Sequence, residues 1–330
     1  MTNKQFRLAA RPVGVPKASD WKLGEEEIPT PVDGEALIKN EFISLDPAMR
    51  GWMNEGKSYV PPVELGAVMR AAAAGKVIAS KHQDFAVGDA VEGVLGVQQY
   101  AISNGRGLRK VDTKLAPLSA YLGGLGISGL SAWFGLFEVG QPKPGETVLV
   151  SGAAGAVGST VGQLAKIHGC RVVGIAGGAE KCAFIRELGF DGAIDYKAEK
   201  LSDGFRRELP KGIDIYFDNV GGDTLDAALT RINLHARVVI CGAISNYNAT
   251  EKPKGPSNYL SLLVNRARMQ GFIVFDYLKK YPETYQALSK HYAEGKLKLR
   301  ETVVEGFETF PDALLKLFTG ENTGKLVLKI

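Results

Sequence analysis

Three glycines spaced three residues apart, Gly152, Gly155 and Gly158, directly follow the apolar run Thr147–Val150. A helix-like pattern begins after them, so the stretch has the form of a strand, a tight turn and the start of a helix. Such a turn aims backbone N–H groups and the positive end of a helix dipole at a phosphate group. Compared with G-x-G-x-x-G, Ala153 stands in place of the first glycine, where alanine can serve if its φ angle stays negative. We therefore predict a dinucleotide-binding site at this turn.

The second predicted strand of this region indicates which dinucleotide binds. An NAD-specific site usually has Asp or Glu at the end of that strand, bonded to the ribose 2′-hydroxyl. Here the strand ends in Ala176, Gly177 and Gly178, with no acid. Lys181 follows in the next helical turn, and its charge attracts a 2′-phosphate that no carboxylate repels. We predict NADP(H) as the cofactor, although Glu180 is an acidic neighbour and Lys181 by itself could equally be a solvated surface residue.

A parallel sheet is needed to position these residues, and the second half of the chain predicts one. Strand-like runs alternate with helical patterns from Thr147 onward, which is typical of βαβ units. Strands such as Val148–Val150 are apolar on both faces, as a sheet covered by helices requires. We expect strands at Thr147–Ser151, Arg171–Ala176, Ala193–Tyr196, Ile213–Asp218, Arg237–Cys241 and Met269–Phe275. We expect helices at Ala156–His168, Glu180–Leu188, Thr224–Leu234 and Tyr259–Arg266.

The first half of the chain has the pattern of a mostly β domain of the barrel type. Its strand candidates, punctuated by Gly, Pro and Asp, are Ala36–Ser44, Val77–Ala79, Ala90–Leu95 and Val97–Ile102. Two tail segments with strand patterns, Thr302–Glu308 and Lys325–Ile330, are expected to return to this domain. Gly123–Gly126, before a predicted helix over Ser128–Val139, marks the crossover. The predicted fold class is α/β: a mostly β domain over 1–125, completed by 300–330, and a Rossmann doubly wound parallel-sheet domain over 126–299.

Composition and charge narrow the functional class. The 330 residues are 45% hydrophobic with a net charge of +4, and no block of like charge favours nucleic-acid binding. No window approaches the roughly 20 apolar residues that span a bilayer, and residues 1–11 lack an apolar core of signal-peptide length. Cys170, Cys182 and Cys241 show no CxxC spacing, so we expect no disulfide framework. The expected protein is cytoplasmic, with neither nucleic acid nor membrane as a partner.

Five motifs carry a resemblance to a known family: Leu45–Arg50, Ala153–Gly158, Phe217–Gly222, Cys241–Asn248 and Gly320–Lys325. On these motifs the chain resembles the zinc-independent medium-chain dehydrogenase/reductases, in particular the branch of prostaglandin and leukotriene reductases, plant alkenal double-bond reductases and bacterial curcumin reductase. The resemblance covers nearly the whole chain. It implies that the mostly β domain is a GroES-like catalytic domain. It also implies a homodimer whose nucleotide-binding sheets join edge to edge through Met269–Phe275.

The resemblance further implies roles for individual residues. The pyrophosphate would be held by Gly155, Ala156, Val157 and Gly158, and the adenosine 2′-phosphate by Lys181 and Tyr196, which follows the third predicted strand. The ribose and nicotinamide would be lined by Asn219, Cys241, Gly242, Ala243, Ile244, Ser245, Tyr247, Phe272, Ile273, Val274 and Asn322.

No metal site is expected. Ser44–Asp46 stands where zinc-binding members of the superfamily have a ligand cysteine, and Glu64–Gly66 stands where they have a His-Glu pair. Three scattered cysteines cannot supply a four-thiolate site. The four histidines also show no ligand spacing.

Without a metal ion, the substrate must be activated by hydrogen bonding, which suits an α,β-unsaturated aldehyde or ketone. Hydride would go to the β-carbon, and a donor would stabilise the charge that develops on the carbonyl oxygen. Tyr247 is the candidate donor because it follows a predicted strand at the carboxyl edge of the sheet, where ligands bind in this architecture. The ribose 2′-hydroxyl could share this role, and a half-buried packing tyrosine is the alternative. Many relatives have a second tyrosine four residues before Arg268, where this chain has Val264, and Tyr259 is out of register by five.

The predicted function is NADPH-dependent reduction of the carbon–carbon double bond of alkenals and enones. One alternative is a quinone reductase of the same superfamily, which would use the same cofactor site. The other is a non-catalytic dinucleotide-binding protein, which Tyr247 and the nicotinamide-side motifs disfavour. The identity of the substrate depends on loops around 52–69 and 248–258, which the sequence leaves open.

Overall fold

The computed structural model describes residues 2–330. They form two compact units, one made of the residues up to Gly123 together with Glu301–Ile330, the other of Gly124–Arg300. These boundaries lie two residues and one residue from those predicted at 125 and 300.

The strands of the described residues, in chain order, are β1 (Thr2–Leu8), β2 (Trp21–Glu27), β3 (Ala36–Ser44), β4 (Ala72–Ser80), β5 (Ala90–Val94), β6 (Tyr100–Ser103), β7 (Arg109–Lys110), β8 (Thr147–Val150), β9 (Arg171–Ala176), β10 (Gly192–Asp195), β11 (Ile213–Asp218), β12 (Ile232–Ile240), β13 (Arg268–Gly271), β14 (Glu301–Glu305) and β15 (Lys325–Lys329). The α-helices are α1 (Ala48–Trp52), α2 (Ile127–Phe134), α3 (Ala156–Ile167), α4 (Ala179–Glu187), α5 (Leu201–Glu208), α6 (Gly222–Leu229), α7 (Leu260–Val264), α8 (Tyr281–Ala293) and α9 (Phe310–Thr319). Helix α2 continues as a π-helical segment over Gly135–Gly140.

The first unit is built on a mostly antiparallel sheet. Its strand order is β14-β15-β3-β4-β5-β7, and β6 also pairs with β3. Strands β1 and β2 form a separate antiparallel pair. Strand β15 pairs antiparallel with β3, so the tail of the chain completes this sheet. Its core includes the buried side chains of Leu8, Ile38, Ile43, Met49 and Leu328.

The second unit contains a six-stranded sheet in the order β10-β9-β8-β11-β12-β13. All its pairings are parallel. The order reverses direction between β8 and β11, and ligands bind at the carboxyl ends of the strands on either side of such a switch point. Buried Leu149, Val173, Ile194, Tyr216 and Val238 contribute to its core. The α/β fold class and the doubly wound parallel sheet are therefore confirmed.

Three predictions for the second unit were wrong in extent. The strand expected over Arg237–Cys241 already begins at Ile232. The helix expected over Thr224–Leu234 ends at Leu229, because β12 begins at Ile232 and pairs there with β11. The strand expected over Met269–Phe275 ends at Gly271, because the ring of Phe272 turns inward and packs edge-on against Phe217.

One strand of the first unit was also placed too early. The strand expected over Val97–Ile102 begins at Tyr100. Val97 instead forms backbone hydrogen bonds with two other segments. Its N–H donates to the Met69 carbonyl oxygen, and its carbonyl oxygen accepts from the Phe6 N–H.

No helix within residues 2–330 has both the length and the apolar character needed to cross a membrane.

Candidate functional site

The turn between β8 and α3 has the close backbone packing that its glycines permit. Gly152 adopts a φ of +57°, and its carbonyl oxygen accepts a hydrogen bond from the N–H of Gly155 at 3.0 Å. A Cβ atom on Gly158 would lie 2.4 Å from that same oxygen, so only glycine lets the helix begin this close to the turn. Ala153 is absent from the residues with positive φ among 2–330, which meets the condition under which alanine can replace the first glycine.

Helix α3 begins at Ala156, so Ala156, Val157 and Gly158 supply its first turn. The N–H groups of a first turn have no carbonyl partner within the helix, and they lie at the positive end of its dipole. This cradle lies at the switch point and fits the pyrophosphate of a dinucleotide.

Asp218, at the end of β11, holds the neighbouring loops through one carboxylate oxygen. Its Oδ1 accepts hydrogen bonds from the hydroxyls of Ser151 at 2.9 Å and Tyr216 at 2.7 Å. It also accepts from the N–H groups of Val220 and Gly221, both at 3.0 Å. The residue is 1% exposed. Burial, followed by the charge of Asp218, raises the pKa of Tyr216 well above its ordinary value, so both hydroxyls act as neutral donors.

Asn219 is positioned by the same network. Its N–H donates to the hydroxyl of Ser151 at 2.9 Å and its side-chain amide donates to the Ser151 carbonyl oxygen at 2.7 Å. A Cβ atom on Gly152 would lie 3.5 Å from the Cβ of Asn219. The predicted ribose-side asparagine is therefore in direct contact with the glycine turn.

The loop after β12 packs onto the loop after β11. The N–H groups of Cys241 and Gly242 donate to the Asp218 carbonyl oxygen, and that of Ile244 donates to Asn219. Ser245 binds the Val220 carbonyl oxygen through both its N–H and its hydroxyl. The Cys241 thiol stays protonated, because burial, followed by the charge of Asp218, raises its pKa to about 12.

Tyr247 closes this loop on itself. Its hydroxyl oxygen accepts a hydrogen bond from the N–H of Ala243 at 3.3 Å, and a Cβ atom on Gly242 would lie 3.1 Å from it. Gly242 in turn faces the backbone of Asn219. The phenol is therefore held at the carboxyl edge of the sheet, within the cluster that contains the glycine turn.

A second cluster surrounds the ends of β9 and β10. Tyr196 is 52% exposed, and a Cβ atom on Gly177 would lie 2.7 Å from its ring and from its hydroxyl oxygen. Lys181 lies in the first turn of α4. Its pKa is lowered by burial and by the nearby positive charge of Lys197. Two lysines whose positive charges interact at this edge of the sheet fit an anionic phosphate.

Glu180, the acidic neighbour of this cluster, interacts with another residue. Its carboxylate lies 3.7 Å from the guanidinium of Arg300, and its side chain is largely exposed. Arg300 also lies over the ring of Phe184 at 5.2 Å. The Glu180 carboxylate therefore has Arg300 as a second cationic neighbour besides Lys181, whose pKa its charge raises.

The remaining predicted residues have other contacts. Phe272 packs against Phe217, while Ile273 and Val274 follow it, half-buried, after the end of β13. Asn322 belongs to the other unit, where its side-chain amide donates to the Gly324 carbonyl oxygen at 3.1 Å.

Sequence reasoning missed Asp218, Ser151, Asp195 and Lys197. Asp195 accepts hydrogen bonds from the N–H groups of Gly178 and Lys197. Each missed aspartate is the last residue of a strand that points to the site, and this position was the available signal.

The first unit contains the segment that was compared with a zinc ligand. Asp46 accepts hydrogen bonds from the hydroxyl of Ser44 and from the ammonium of Lys325, the latter at 2.9 Å. Lys325 has a side chain only 4% exposed, and it also donates to the Leu45 carbonyl oxygen at 2.6 Å. A buried ammonium opposes a metal cation at the same place. Residues 2–330 hold no group of three or more His, Cys, Asp or Glu side chains that could bind a metal ion.

Comparison with known proteins identifies the family. Residues 4–111 match the family described as "N-terminal domain of oxidoreductase", and residues 156–294 match the one described as "Zinc-binding dehydrogenase". The NADPH-dependent curcumin reductase of Escherichia coli is 42% identical over 99% of this chain and 97% of its own length. The NADP(+)-dependent 2-alkenal reductase of Nicotiana tabacum is 42% identical over 100% of this chain and 98% of its own. The crystal structure of CurA from Vibrio vulnificus in complex with NADPH has 46% identity and a TM-score of 0.93, covering 99% of this chain and 98% of that one.

These likenesses extend over both units. The chain belongs to the medium-chain dehydrogenase/reductase family, in its zinc-independent branch.

Proposed function

We propose that this protein is an NADPH-dependent reductase of the carbon–carbon double bond of α,β-unsaturated aldehydes and ketones. The observation that carries the proposal is the contact between the glycine turn, Asn219 and the loop of Tyr247 at the switch point of the sheet. The relatives named for curcumin and 2-alkenal reduction support this substrate class.

NADPH is the proposed cofactor because the adenosine end of the site is cationic. The charges of Lys181 and Lys197 interact there, Tyr196 lies against Gly177, and the Glu180 carboxylate lies 3.7 Å from Arg300. Gly155, Ala156, Val157 and Gly158 would hold the pyrophosphate through their backbone. The NADPH-bound relative supports the same cofactor.

In the proposed mechanism, bound NADPH supplies a hydride to the substrate β-carbon. Tyr247 donates its O–H to the substrate carbonyl oxygen, where negative charge develops. The hydrogen bond from the Ala243 N–H to the Tyr247 oxygen at 3.3 Å polarises the phenol and makes it a better donor. Asn219, fixed by Ser151 and Asp218, orients the ribose side of the site. The substrate α-carbon then takes a proton from an acid.

The test compares turnover of NADPH with an alkenal, an enone and a quinone. Rapid consumption with the first two and slow consumption with the quinone is the expected result. Faster turnover of the quinone would favour the quinone-reductase alternative, and tight NADPH binding with no consumption would favour a non-catalytic protein.

The role of Tyr247 is tested by Tyr247→Phe. Removal of a well-placed donor lowers turnover by at least about tenfold, toward the 10²–10³ typical of such donors. Tyr259→Phe is the matched control, since Tyr259 is an exposed tyrosine outside the loop, and it should leave the rate unchanged. An unchanged rate in Tyr247→Phe would contradict the role.

We also propose a homodimer formed through β13. This strand ends the order of the parallel sheet, and all four of its residues are exposed. Exposed apolar side chains occur in the strand itself, at Met269, and in the segments before and after it along the chain, at Leu260, Leu263, Val264 and Leu278. An open strand edge beside an apolar patch is a surface that pairs with another chain, so two copies would join their sheets here. We propose the cytoplasm as the location, because the three cysteines are free thiols.

A further inference from the structure

Asp195 connects the two loops next to the residues that are predicted to bind the adenosine 2′-phosphate, Lys181 and Tyr196. It is the last residue of β10. Its Oδ1 accepts hydrogen bonds from the N–H of Gly178, at 2.8 Å, and from the N–H of Lys197, at 3.0 Å. One oxygen atom therefore joins the turn after β9 to the segment after β10.

The distance between these two loops determines the shape of the cluster at the ends of β9 and β10. Gly177 and the ring of Tyr196 are in such close contact that a Cβ on the glycine would lie 2.7 Å from the ring. Gly178, with a φ of +97°, is the residue from which α4 starts. Its position therefore also determines where the first turn of α4, with Lys181, begins.

We propose that Asp195 is a positioning residue that sets the preference for a 2′-phosphorylated adenosine, by holding the Gly178 turn and the Tyr196–Lys197 segment at a fixed separation. This inference rests on the proposed use of NADPH. The carboxylate performs this role through backbone N–H groups, which offset its negative charge next to an anionic ligand.

The experiment measures equilibrium binding, so that it does not depend on turnover. Calorimetric titration gives the dissociation constants of adenosine 2′,5′-bisphosphate and of adenosine 5′-monophosphate, which differ only in the 2′-phosphate. Asp195→Ala should weaken binding of the bisphosphate by about tenfold, a change of about 1.4 kcal/mol. It should change binding of the monophosphate by less than about twofold.

Two further variants at this position separate positioning from charge and folding. Asp195→Asn retains an oxygen that can accept both N–H bonds, so it should keep the preference of the unmodified protein. Asp195→Ser, whose shorter side chain cannot reach both N–H groups, should lose the preference and replaces the alanine variant if that one does not fold.

Asp191→Ala is the matched control. Asp191 precedes β10 and accepts the N–H of Val172 in β9 at 2.7 Å, so it joins the same pair of strands at their amino ends, and it also accepts the ammonium of Lys166 in α3. This variant should lose stability and keep the preference for the bisphosphate.

The outcomes distinguish the two proposals. Equal weakening of both ligands by Asp195→Ala, or an unchanged bisphosphate affinity, would overturn the role of Asp195. The absence of any bisphosphate preference in the unmodified protein would overturn both the role and the NADPH assignment. A preference that depends on Asp195, in a protein that reduces no enone, would overturn the proposed activity alone and support the positioning role.

Discussion

Replacing Asp218 should destabilise the second unit and loosen the cofactor site together. Four donors converge on its Oδ1: the hydroxyls of Ser151 and Tyr216 and the N–H groups of Val220 and Gly221. With 1% exposure of Asp218, bulk solvent does not reach these bonds in the unmodified protein. Since Asn219 is bonded to Ser151, the effect should extend to the ribose side of the site.

The size of the effect follows from the number of donors. A buried donor left without its acceptor costs about 1–3 kcal/mol. The space left by the carboxylate in Asp218→Ala holds about one water molecule, which restores part of the lost bonding. We therefore expect the free energy of unfolding of Asp218→Ala to fall by about 3–4 kcal/mol, near the low end of the cost for four donors. For a unit of this size, that corresponds to a fall in Tm of about 6–16 °C.

Conservative variants should lose less stability than the alanine variant. In Asp218→Asn the second carboxylate oxygen, Oδ2, becomes an amide group. Oδ2 has no hydrogen-bond partner among the described residues, so the buried amide also lacks an acceptor and costs about 1–3 kcal/mol. Tyr216→Phe removes one donor while three others remain on the oxygen, and should cost about 1 kcal/mol.

Thermal unfolding followed by circular dichroism gives the order of stability, and fluorescence titration gives the affinity for NADPH. Asp214→Ala is the control, because Asp214 lies on the same strand as Asp218 but at its amino end. There its carboxylate accepts hydrogen bonds from the Thr147 N–H and from the side-chain amide of Asn233. It should lower the Tm less and leave NADPH affinity unchanged. A Tm in Asp218→Ala equal to that of the unmodified protein would refute the assignment of this network.

Three other parts of the molecule can be tested more briefly. Lys181→Ala should raise the KM for NADPH by about tenfold and leave that for NADH nearly unchanged, and equal effects on both cofactors would contradict the assignment. Because burial and then Lys197 lower the pKa of Lys181, its positive charge disappears at a lower pH than that of an ordinary lysine. NADPH affinity measured across alkaline pH should fall correspondingly early. At about pH 8, iodoacetamide should label Cys241 far more slowly in the folded than in the unfolded protein, because burial and the charge of Asp218 raise its pKa to about 12; rapid labelling of the folded protein would argue against this environment. Leu263→Asp, at a side chain that is 74% exposed beside β13, should shift the mass measured by light scattering from dimer to monomer, whereas an intact dimer would place the interface elsewhere.

The elements that the sequence predicts best are those whose burial pattern is simple. Strand β8 is buried at all four of its positions, and β9 and β11 are nearly so, which produces the unbroken apolar runs that mark central parallel strands. Their limits were predicted to within a residue. Strand β13 was predicted too long because Phe272 has the apolar character of a strand residue, while its ring belongs to the packing around Phe217.

The candidate site was predictable where backbone geometry restricts the residue type. Gly158 is such a position, since any side chain would meet the Gly152 carbonyl. Lys181 could be proposed from its place after a strand that lacks an acid. Lys197 could not, because its relation to Lys181 depends on how β10 lies beside β9.

The aspartates of β10 and β11 show why residue type alone does not identify such a site. Asp191 and Asp214 lie at the amino ends, Asp195 and Asp218 at the carboxyl ends, and each accepts at least one backbone N–H from a neighbouring segment. The hydrogen bonding is similar at both edges of the sheet, because the end of any strand leaves N–H groups that need an acceptor. The loops that the carboxylates hold are different. At the carboxyl edge these loops contain Gly177 and Gly221, where the absence of a side chain lets Tyr196 and Ala243 of the neighbouring loops pack against the backbone. The same interaction therefore supports folding at one edge and, by the proposals above, cofactor selection at the other.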